Sequence, residues 1–195
     1  MSRTASISKT SIIDAAIEII RENGYEAVNA RSVAGRLGCS TQPVFSNFRN
    51  MEDVMGEVLK ATLNIYNSFV SDSVKSGTDE PIYKAHGRAY IMFAVEEKNL
   101  FRLLFMRDRT NDPAPLEEST FHEVLPLIMN ATGLNREQAA VFHFAMWAVV
   151  HGIAVMAATS YSELDMDFVS NTLTDVYQGL LYRFKNKEGS DEQRN

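Results

Sequence analysis

Helical periodicity runs through almost the whole chain, and it is the feature that most restricts the fold. Apolar residues recur every three or four positions in each long segment, beginning with Ile12, Ile13, Ala16, Ile17 and Ile20. No segment shows a convincing two-residue alternation of the strand type, and no internal repeat is evident. With 195 residues, 45% of them hydrophobic, the chain is long enough to bury a substantial core. The sequence therefore predicts an all-α protein.

Residues that favour helix ends predict where the helices begin and stop. Ser8 or Thr10 can cap the first helix, which Asn23-Gly24 ends, and Asn29 and Gly38 bracket the second. Ser40 is expected to cap a short third helix over 41–47, with Pro43 in its first turn. Longer helices are predicted over 51–75, 82–96, 97–107, 115–131, 135–159 and 166–185.

The segment Ser-Gly-Thr-Asp-Glu-Pro at 76–81 is the clearest linker. We expect an N-terminal arm and a first domain within residues 1–50, a connecting helix over 51–75 and a second helical domain over 82–185, followed by a disordered polar tail over 186–195. Residues 1–50 carry six Lys/Arg against four acids, whereas the remainder carries 13 against 21. Any contact with phosphate is therefore expected in the first domain.

The stretch GCSTQPVFSNF, residues 38–48, is crowded with small polar side chains and holds no acid. Two short helices joined by the turn Gly38-Cys39-Ser40 form a helix-turn-helix. An acid-free helix rich in hydrogen-bonding groups suits base edges and phosphates in a major groove, where Gln42 can pair with adenine through two hydrogen bonds. A solvated turn with a short polar helix is the alternative interpretation. The side chains predicted to face outward are Thr41, Gln42, Pro43, Ser46 and Asn47.

The segment RSVAGRLGCSTQPVFSNFRNMEDV, residues 31–54, resembles the helix-turn-helix core of the TetR family of bacterial transcriptional regulators. The resemblance extends without a gap from about residue 9 to 58. It implies that the surface contacting double-stranded DNA also includes Lys9, Arg31, Ser40, Phe45 and Arg49.

Two positions depart from the family pattern. Phe45 stands where the family usually has a tyrosine whose hydroxyl meets a phosphate, and Met51 replaces a usual lysine. Arg49, or Arg3 and Lys9 near the N-terminus, can compensate for these lost contacts.

The C-terminal part resembles the family less specifically. Trp147, His151 and Gly152, within MWAVVHGIAV, are similar to the Trp…His-Gly motif of one TetR ligand-domain subgroup, and residues 87–106 also resemble that subgroup. This resemblance implies a homodimer paired through the last two helices, with a small-molecule pocket in each ligand domain. It also implies a palindromic operator, since the two copies of a twofold dimer read equivalent half-sites.

Aromatic and methionine side chains on predicted inward stripes are candidates to line an apolar pocket for a small hydrophobic effector, although most such residues belong to a core. For His151, a structural role beside Trp147 is the alternative. The candidates are Tyr66, Tyr90, Phe93, Phe101, Phe105, Phe142, Met146, Trp147, His151 and Met156.

Two further stripes are candidates for the dimer contact, with an intrachain core as the alternative. The first consists mostly of small residues: Ala145, Ala148, Gly152 and Val155. The second is wide enough for both a core and a partner: Val169, Leu173, Val176, Leu180 and Phe184.

The sequence offers no candidate residues for catalysis. The sequence lacks HExxH, CxxC, a glycine-rich phosphate loop and a Gly-x-Ser-x-Gly elbow. His143 and His151 would lie roughly 12 Å apart along a helix and cannot share a metal ion. We therefore expect no catalysis, no metal and no cofactor.

The almost wholly apolar segment 139–158 has about the length of a membrane span, but it contains two histidines and lacks flanking basic clusters. A buried or interface helix is the better interpretation, with no membrane contact. The single cysteine, Cys39, fits a reducing cytosol, so we expect a cytoplasmic protein associated with the bacterial nucleoid. The function predicted is a ligand-responsive transcriptional regulator, specifically a repressor. The alternative is a helical small-molecule-binding or scaffold protein that has lost specific DNA binding.

Overall fold

The computed structural model describes residues 7–76, 80–110 and 117–191, with side chains omitted for 117–123 and 187–191. Every regular element in these ranges is a helix, which confirms the predicted all-α class. The α-helices are α1 (Lys9–Asn23), α2 (Ala30–Arg36), α3 (Gln42–Asn47), α4 (Met51–Lys75), α5 (Ile82–Glu96), α6 (Lys98–Phe105), α7 (Glu117–Thr132), α8 (Arg136–Ala158) and α9 (Met166–Asp191), and a 3₁₀ turn spans Tyr25–Ala27.

The described chain forms two compact units. The first comprises the residues up to Phe69 together with Glu96–Arg107, and the second comprises Val70–Val95 with the residues from Asp108 onward. Helix α6 and most of α4 thus belong to the same unit as the helix-turn-helix. Helix α9 continues to Asp191, so it includes part of the segment 186–195 for which the sequence predicts a disordered tail. Part of the predicted linker, residues 77–79, lies outside the described residues.

Side-chain caps define the first two helices. The Ser8 hydroxyl accepts a hydrogen bond from the Ser11 amide at 3.1 Å, and the Ser11 hydroxyl accepts one from the Ser8 amide at 3.0 Å. Asn29 Oδ1 accepts from the amides of Arg31 and Ser32, both at 3.0 Å. Each cap satisfies helix N-terminal N–H groups that have no partner within the helix. The predicted starts at Ser8 and Asn29 are therefore confirmed.

The turn between α2 and α3 is a Schellman motif. The Cys39 amide donates to the Ala34 carbonyl at 3.0 Å, and the Gly38 amide donates to the Gly35 carbonyl at 3.2 Å. This closure requires a left-handed residue after the last helical turn, and Gly38 has φ = 65°. The predicted stop at Gly38 is confirmed, and it determines how α3 leaves α2.

The prediction that Ser40 caps the third helix is wrong. The helix begins at Gln42, its N-cap is Thr41, and no side-chain hydrogen bond caps it. A side-chain cap needs an extended backbone at the cap residue. Thr41 has φ = −72° and ψ = −13°, which is already helical, so this helix starts without one.

Helix α1 is the centre of the first unit, where it packs against α2, α3 and α6. Its isoleucines Ile12 and Ile20 are fully buried, as are Val33 of α2 and Val44 of α3. At its C-terminal end Arg21 pairs with Glu97, through Nη2 to Oε1 at 2.8 Å and Nε to Oε2 at 3.0 Å. The side-chain amide of Asn99 donates a hydrogen bond from Nδ2 to the Arg21 carbonyl at 2.9 Å. These bonds hold the start of α6 against the C-terminal end of α1.

In the second unit, α8 packs against both α7 and α9. Two tyrosine–histidine pairs join α5 to α8: Tyr83 Oη lies 3.2 Å from His143 Nδ1, and Tyr90 Oη lies 2.9 Å from His151 Nδ1. Burial lowers the pKa of His143 and raises the pKa of Tyr83. The Tyr83–His143 pair therefore forms a neutral hydrogen bond within apolar surroundings.

Candidate nucleic-acid interface

The helix-turn-helix presents an exposed polar surface made by α2, α3 and the residues that follow α3. Arg31, Ser40, Gln42 and Ser46 are exposed, and Phe45 keeps half of its surface accessible. Thr41 and Pro43 are half-buried. Val44 and Phe48 are buried on the opposite side and anchor α3 to the core of this unit. The structure thus brings most of the predicted DNA-contact residues onto one small, acid-free helix and its immediate flanks.

Ser46 and Asn47 use their side chains partly within the protein. The Ser46 hydroxyl donates to the Gln42 carbonyl at 2.9 Å. The Asn47 amide nitrogen donates to the Pro43 carbonyl at 2.8 Å and to the Ile7 carbonyl at 3.1 Å. Asn47 is half-buried, so its amide faces the start of α1, whereas the sequence predicts an outward orientation.

Arg49 is paired with Asp53, an acid outside the DNA-contact surface that the sequence predicts. Its Nε and Nη2 lie 2.7 and 2.8 Å from the two Asp53 carboxylate oxygens. The Arg49 side chain remains 88% exposed. Hydrogen bonding to Arg49 lowers the pKa of Asp53, so this carboxylate is ionised at neutral pH. The spacing of four residues between opposite charges is the signal that could have identified the pair.

Lys9 lies at the first turn of α1, with its ammonium 5.3 Å from the centre of the Phe48 ring. Its side chain is exposed. A cation–π contact of this kind orients a flexible side chain without removing its charge. Lys9 is therefore held near the C-terminal end of α3 and keeps its positive charge available.

The predicted ligand residues fall into both units. Tyr66, Phe101 and Phe105 form a cluster in the first unit, where the Tyr66 and Phe105 ring centres are 5.2 Å apart and those of Phe101 and Phe105 are 4.9 Å apart. Burial raises the pKa of Tyr66. A polar cleft of about 290 Å³ also lies in this unit, lined by Glu22, Asn23, Gly24, Tyr25, Glu26, Asn99 and Arg102.

The other ligand candidates lie in the second unit. Trp147 stacks on His151 with ring centres 5.0 Å apart, and Tyr90 completes this cluster through its hydrogen bond to His151. Phe93, Phe142 and Met146 are buried. Met156 is 37% exposed, so the prediction that it faces inward is wrong. Periodicity along α8 does not identify its inward face because the helix is apolar on nearly every side.

Helix α8 is long and apolar enough to cross a membrane, judged by length and composition alone, and only 28% of its most apolar window is buried. Its exposed side chains include Val141, Phe144 and Ala148, and α9 exposes Phe168 and Tyr182. The predicted stripe on α9 divides: Val169 and Leu173 are buried, and the rest is half-buried. Phe144, Phe168 and Tyr182 are exposed aromatics that lie outside both predicted stripes.

The family models match both units. The model described as "Bacterial regulatory proteins, tetR family" matches residues 12–58, and that described as "Tetracyclin repressor-like, C-terminal domain" matches residues 83–175. Together these ranges cover well over half of the chain. The chain belongs to the TetR family. It is accordingly a helix-turn-helix transcriptional regulator, and this family consists of regulators rather than enzymes.

Similar proteins agree with this assignment. An uncharacterised HTH-type transcriptional regulator of Mycobacterium tuberculosis is 20% identical over 173 residues, covering 87% of this chain and 79% of that protein. A TetR-like transcriptional regulator from Rhodococcus sp. RHA1 has the same fold, with a TM-score of 0.64 at 10% identity over 95% of this chain and 99% of that one. The TetR family protein ActR of Streptomyces coelicolor, in complex with (S)-DNPA, has a TM-score of 0.55 at 18% identity over 92% and 99%.

TetR family regulators are cytoplasmic, bind DNA and small-molecule ligands, and act as dimers. Within the described residues, no group of three His, Cys, Asp or Glu side chains is arranged to hold a metal ion.

Proposed function

We propose that this TetR family regulator is a ligand-responsive repressor that binds a palindromic operator as a homodimer. The observation that carries the proposal is the exposed, acid-free face of α3. Gln42 lies at the first position of this helix with its side chain exposed, which suits contact with a base edge. Arg31 and Arg49 flank it with exposed positive charge. Phosphate contacts from these groups position the helix, and base contacts select the sequence.

The proposed DNA surface comprises the residues that the sequence identified, with roles refined by their surroundings. Gln42 and Thr41 read bases, and Phe45 offers an apolar contact to a thymine methyl group in place of a phosphate hydrogen bond. Ser40 and Ser46 supply hydroxyl groups, and Pro43 sets the first turn of α3. Lys9, Arg31 and Arg49 supply charge to the phosphates. We place the DNA-binding domain within residues 1–50, with α4 as its connection to the ligand domain.

Dimerisation is proposed through α8 and α9. These helices expose Phe144, Phe168 and Tyr182 at 66%, 70% and 73%. Large exposed apolar side chains on adjacent helices mark a protein interface in a soluble protein. Ala148 lies one turn after Phe144 and is also exposed, so a second helix can approach closely there. A twofold contact on this surface would present two α3 helices to successive major grooves.

The effector is proposed to be a small hydrophobic molecule, bound among aromatic side chains of the ligand domain. Tyr90, Trp147 and His151 support this idea because they combine stacked rings with hydrogen-bonding groups. The same stack supports membership of the Trp…His-Gly subgroup. ActR is solved in complex with (S)-DNPA, so the fold can accommodate a bound compound. Effector binding weakens operator affinity if it favours a dimer whose α3 helices no longer match the groove spacing.

The test is a selection of random duplex DNA by the intact protein at modest salt, followed by competition against non-specific DNA. We expect a palindrome with half-sites about one helical turn apart. Absence of any preferred duplex would overturn the regulator proposal and favour the alternative, a helical binding protein that has lost specific DNA recognition. A promoter carrying the selected site before a reporter gene then tests repression, since an activator would raise reporter expression.

Effector binding is tested through the fluorescence of Trp147, the only tryptophan in the chain. A hydrophobic compound that binds near it should change its fluorescence with a saturable dependence on concentration. Each such compound is then added to the operator complex. Compounds that saturate the fluorescence change but leave operator affinity unaltered would contradict ligand-responsive repression, while leaving DNA binding itself intact.

A further inference from the structure

Arg49 and Asp53 form a bidentate ion pair between the end of α3 and the first turn of α4. Arg49 Nε lies 2.7 Å from Asp53 Oδ2, and Nη2 lies 2.8 Å from Oδ1, so the carboxylate takes one whole edge of the guanidinium. The Arg49 backbone amide also donates to Asp53 Oδ2 at 3.3 Å. The Arg49 side chain is 88% exposed and that of Asp53 is 27% exposed. The cation therefore faces solvent, and the acid is the more sheltered partner.

Lys9 is a second cation beside this pair. Its ammonium lies 5.3 Å from the centre of the ring of Phe48, the residue directly before Arg49. Among the described residues, Lys9 forms no ion pair of its own. Hydrogen bonding to Arg49 lowers the pKa of Asp53, and the charge of Lys9 lowers it further. Lys9 thus lies within electrostatic range of the same carboxylate, and the three groups together keep an excess of positive charge.

The carboxylate of Asp53 resembles a phosphate in the way that it binds Arg49. A guanidinium that holds a carboxylate through two nitrogens can hold a phosphate in the same way, because both anions offer two oxygens to its planar fork. We propose that Lys9 and Arg49 form the binding site of a single DNA backbone phosphate, and that Asp53 occupies this site in the free protein as an internal competitor. The inference rests on the proposed function, which places this surface against DNA.

Asp53 also belongs to the first turn of α4, where its backbone amide donates to Asn50 Oδ1 at 2.8 Å. An acid at a helix start stabilises the helix whether or not DNA is bound. Asp53→Asn separates the two roles, since the amide keeps an oxygen that can accept the Arg49 N–H but carries no charge. The matched control is Glu57→Gln, one turn later on α4, which removes an acid that is paired with Lys60 at 2.7 Å.

The competition is tested by binding a short random-sequence duplex at low salt, measured by fluorescence anisotropy. We expect Asp53→Asn to tighten binding by about two- to fivefold, the magnitude of an exposed ion pair. In an Arg49→Ala background the same substitution should gain no more than Glu57→Gln does, because no guanidinium remains to be released. An equal gain in both backgrounds would show that Asp53 acts only through its charge and would overturn the competition. Weaker binding after Asp53→Asn would overturn it as well.

The sharing of one phosphate is tested with Lys9→Met, which keeps an apolar contact with Phe48 but removes the charge. Without Arg49, the unpaired Asp53 neutralises Lys9, and without Lys9, Arg49 stays on Asp53. Lys9→Met and Arg49→Ala should therefore each lower the salt dependence by about one phosphate contact, and the double variant should also lose about one. A loss of two contacts in the double variant would assign the cations to separate phosphates and overturn the shared site.

The random-sequence duplex keeps this inference separate from the proposed function, because a phosphate site acts on any DNA sequence. A protein that shows both couplings on random DNA but prefers no palindrome would contradict the proposed repressor and leave the phosphate site intact. A protein that prefers one palindrome but loses two contacts in the double variant would contradict the phosphate site alone.

Discussion

Helix α3 has six residues and exposes Gln42, Ser46 and half of Phe45, whereas α8 has 23 residues and exposes Val141 and Phe144. The first surface is polar and acid-free. DNA, a polyanion, can displace the water on this surface and form hydrogen bonds and charge contacts in its place. The second surface is apolar, so its stabilisation comes from removing it from water against another apolar surface. We therefore propose different partners for the two helices: DNA for α3, and a second copy of the chain for α8.

The largest expected effect comes from placing a charge on the apolar surface of α8. Phe144→Asp should raise the dimer dissociation constant at least about a hundredfold, because an unpaired charge is buried and a twofold interface contains it twice. Sedimentation equilibrium measures this constant, and operator binding should fall in parallel. The matched control is Met106→Asp, an exposed methionine at the end of α6 in the first unit. A dimer that tolerates Phe144→Asp would remove α8 from the proposed interface.

The next effect concerns the polar surface of α3. Gln42→Ala should weaken binding to the cognate operator by about 1–3 kcal/mol, since one base loses its hydrogen bonds. Binding to operators that already carry a different base pair at that position should not change. Binding to a set of operators that differ at single positions measures this. Asn64→Ala, which truncates an exposed amide on α4, is the control. A uniform loss over all operators would assign Gln42 to a phosphate and not to a base.

A smaller, opposed pair of effects follows from the Arg49–Asp53 contact. Arg49→Ala should weaken binding to all sequences a few-fold and reduce the salt dependence by about one contact. Asp53→Asn should strengthen binding, because it removes a negative charge near the phosphates and releases Arg49 from its partner. Fluorescence anisotropy over a range of salt concentrations measures both. If Asp53→Asn weakens binding as Arg49→Ala does, the ion pair stabilises the protein, and Asp53 does not reduce the charge that Arg49 offers to the phosphates.

The smallest effect is a pH dependence in the second unit. Burial lowers the pKa of His143 below its ordinary value of 6.5, so between these two pKa values the unfolded chain binds more protons than the folded one. Stability is therefore full above pH 6.5 and falls as the pH falls through this window. The histidine is partly solvated, so we expect a decrease in Tm of no more than about 4 °C.

The variant His143→Asn tests the origin of that dependence. Its side-chain oxygen can still accept a hydrogen bond from Tyr83 Oη, but the residue does not titrate. Thermal unfolding at pH 7.5 and 5.5 should then show a smaller difference than in the parent protein. An identical pH dependence in the variant would show that other groups cause it.

Local chemistry accounts for what could be predicted of the first unit. Ser8, Asn29 and Gly38 act through hydrogen bonds and backbone conformations within five residues, so their positions in the sequence determine the helix ends. The same locality explains why the acid-free α3 could be recognised. The failure at Ser40 is also local, because the helical backbone of Thr41 decides where α3 starts.

The sequence by itself determined the all-α class, the long helices and the exposed polar face of α3, since periodicity and caps depend on neighbouring residues. Only the tertiary structure decided that the Asn47 amide meets Ile7, that Arg21 meets Glu97 and that α8 exposes Phe144. The first two are contacts over 40 and 76 residues. The third depends on which side of α8 is covered by neighbouring helices, since α8 is apolar on nearly every side. Such choices depend on the arrangement of whole helices, which no single segment encodes.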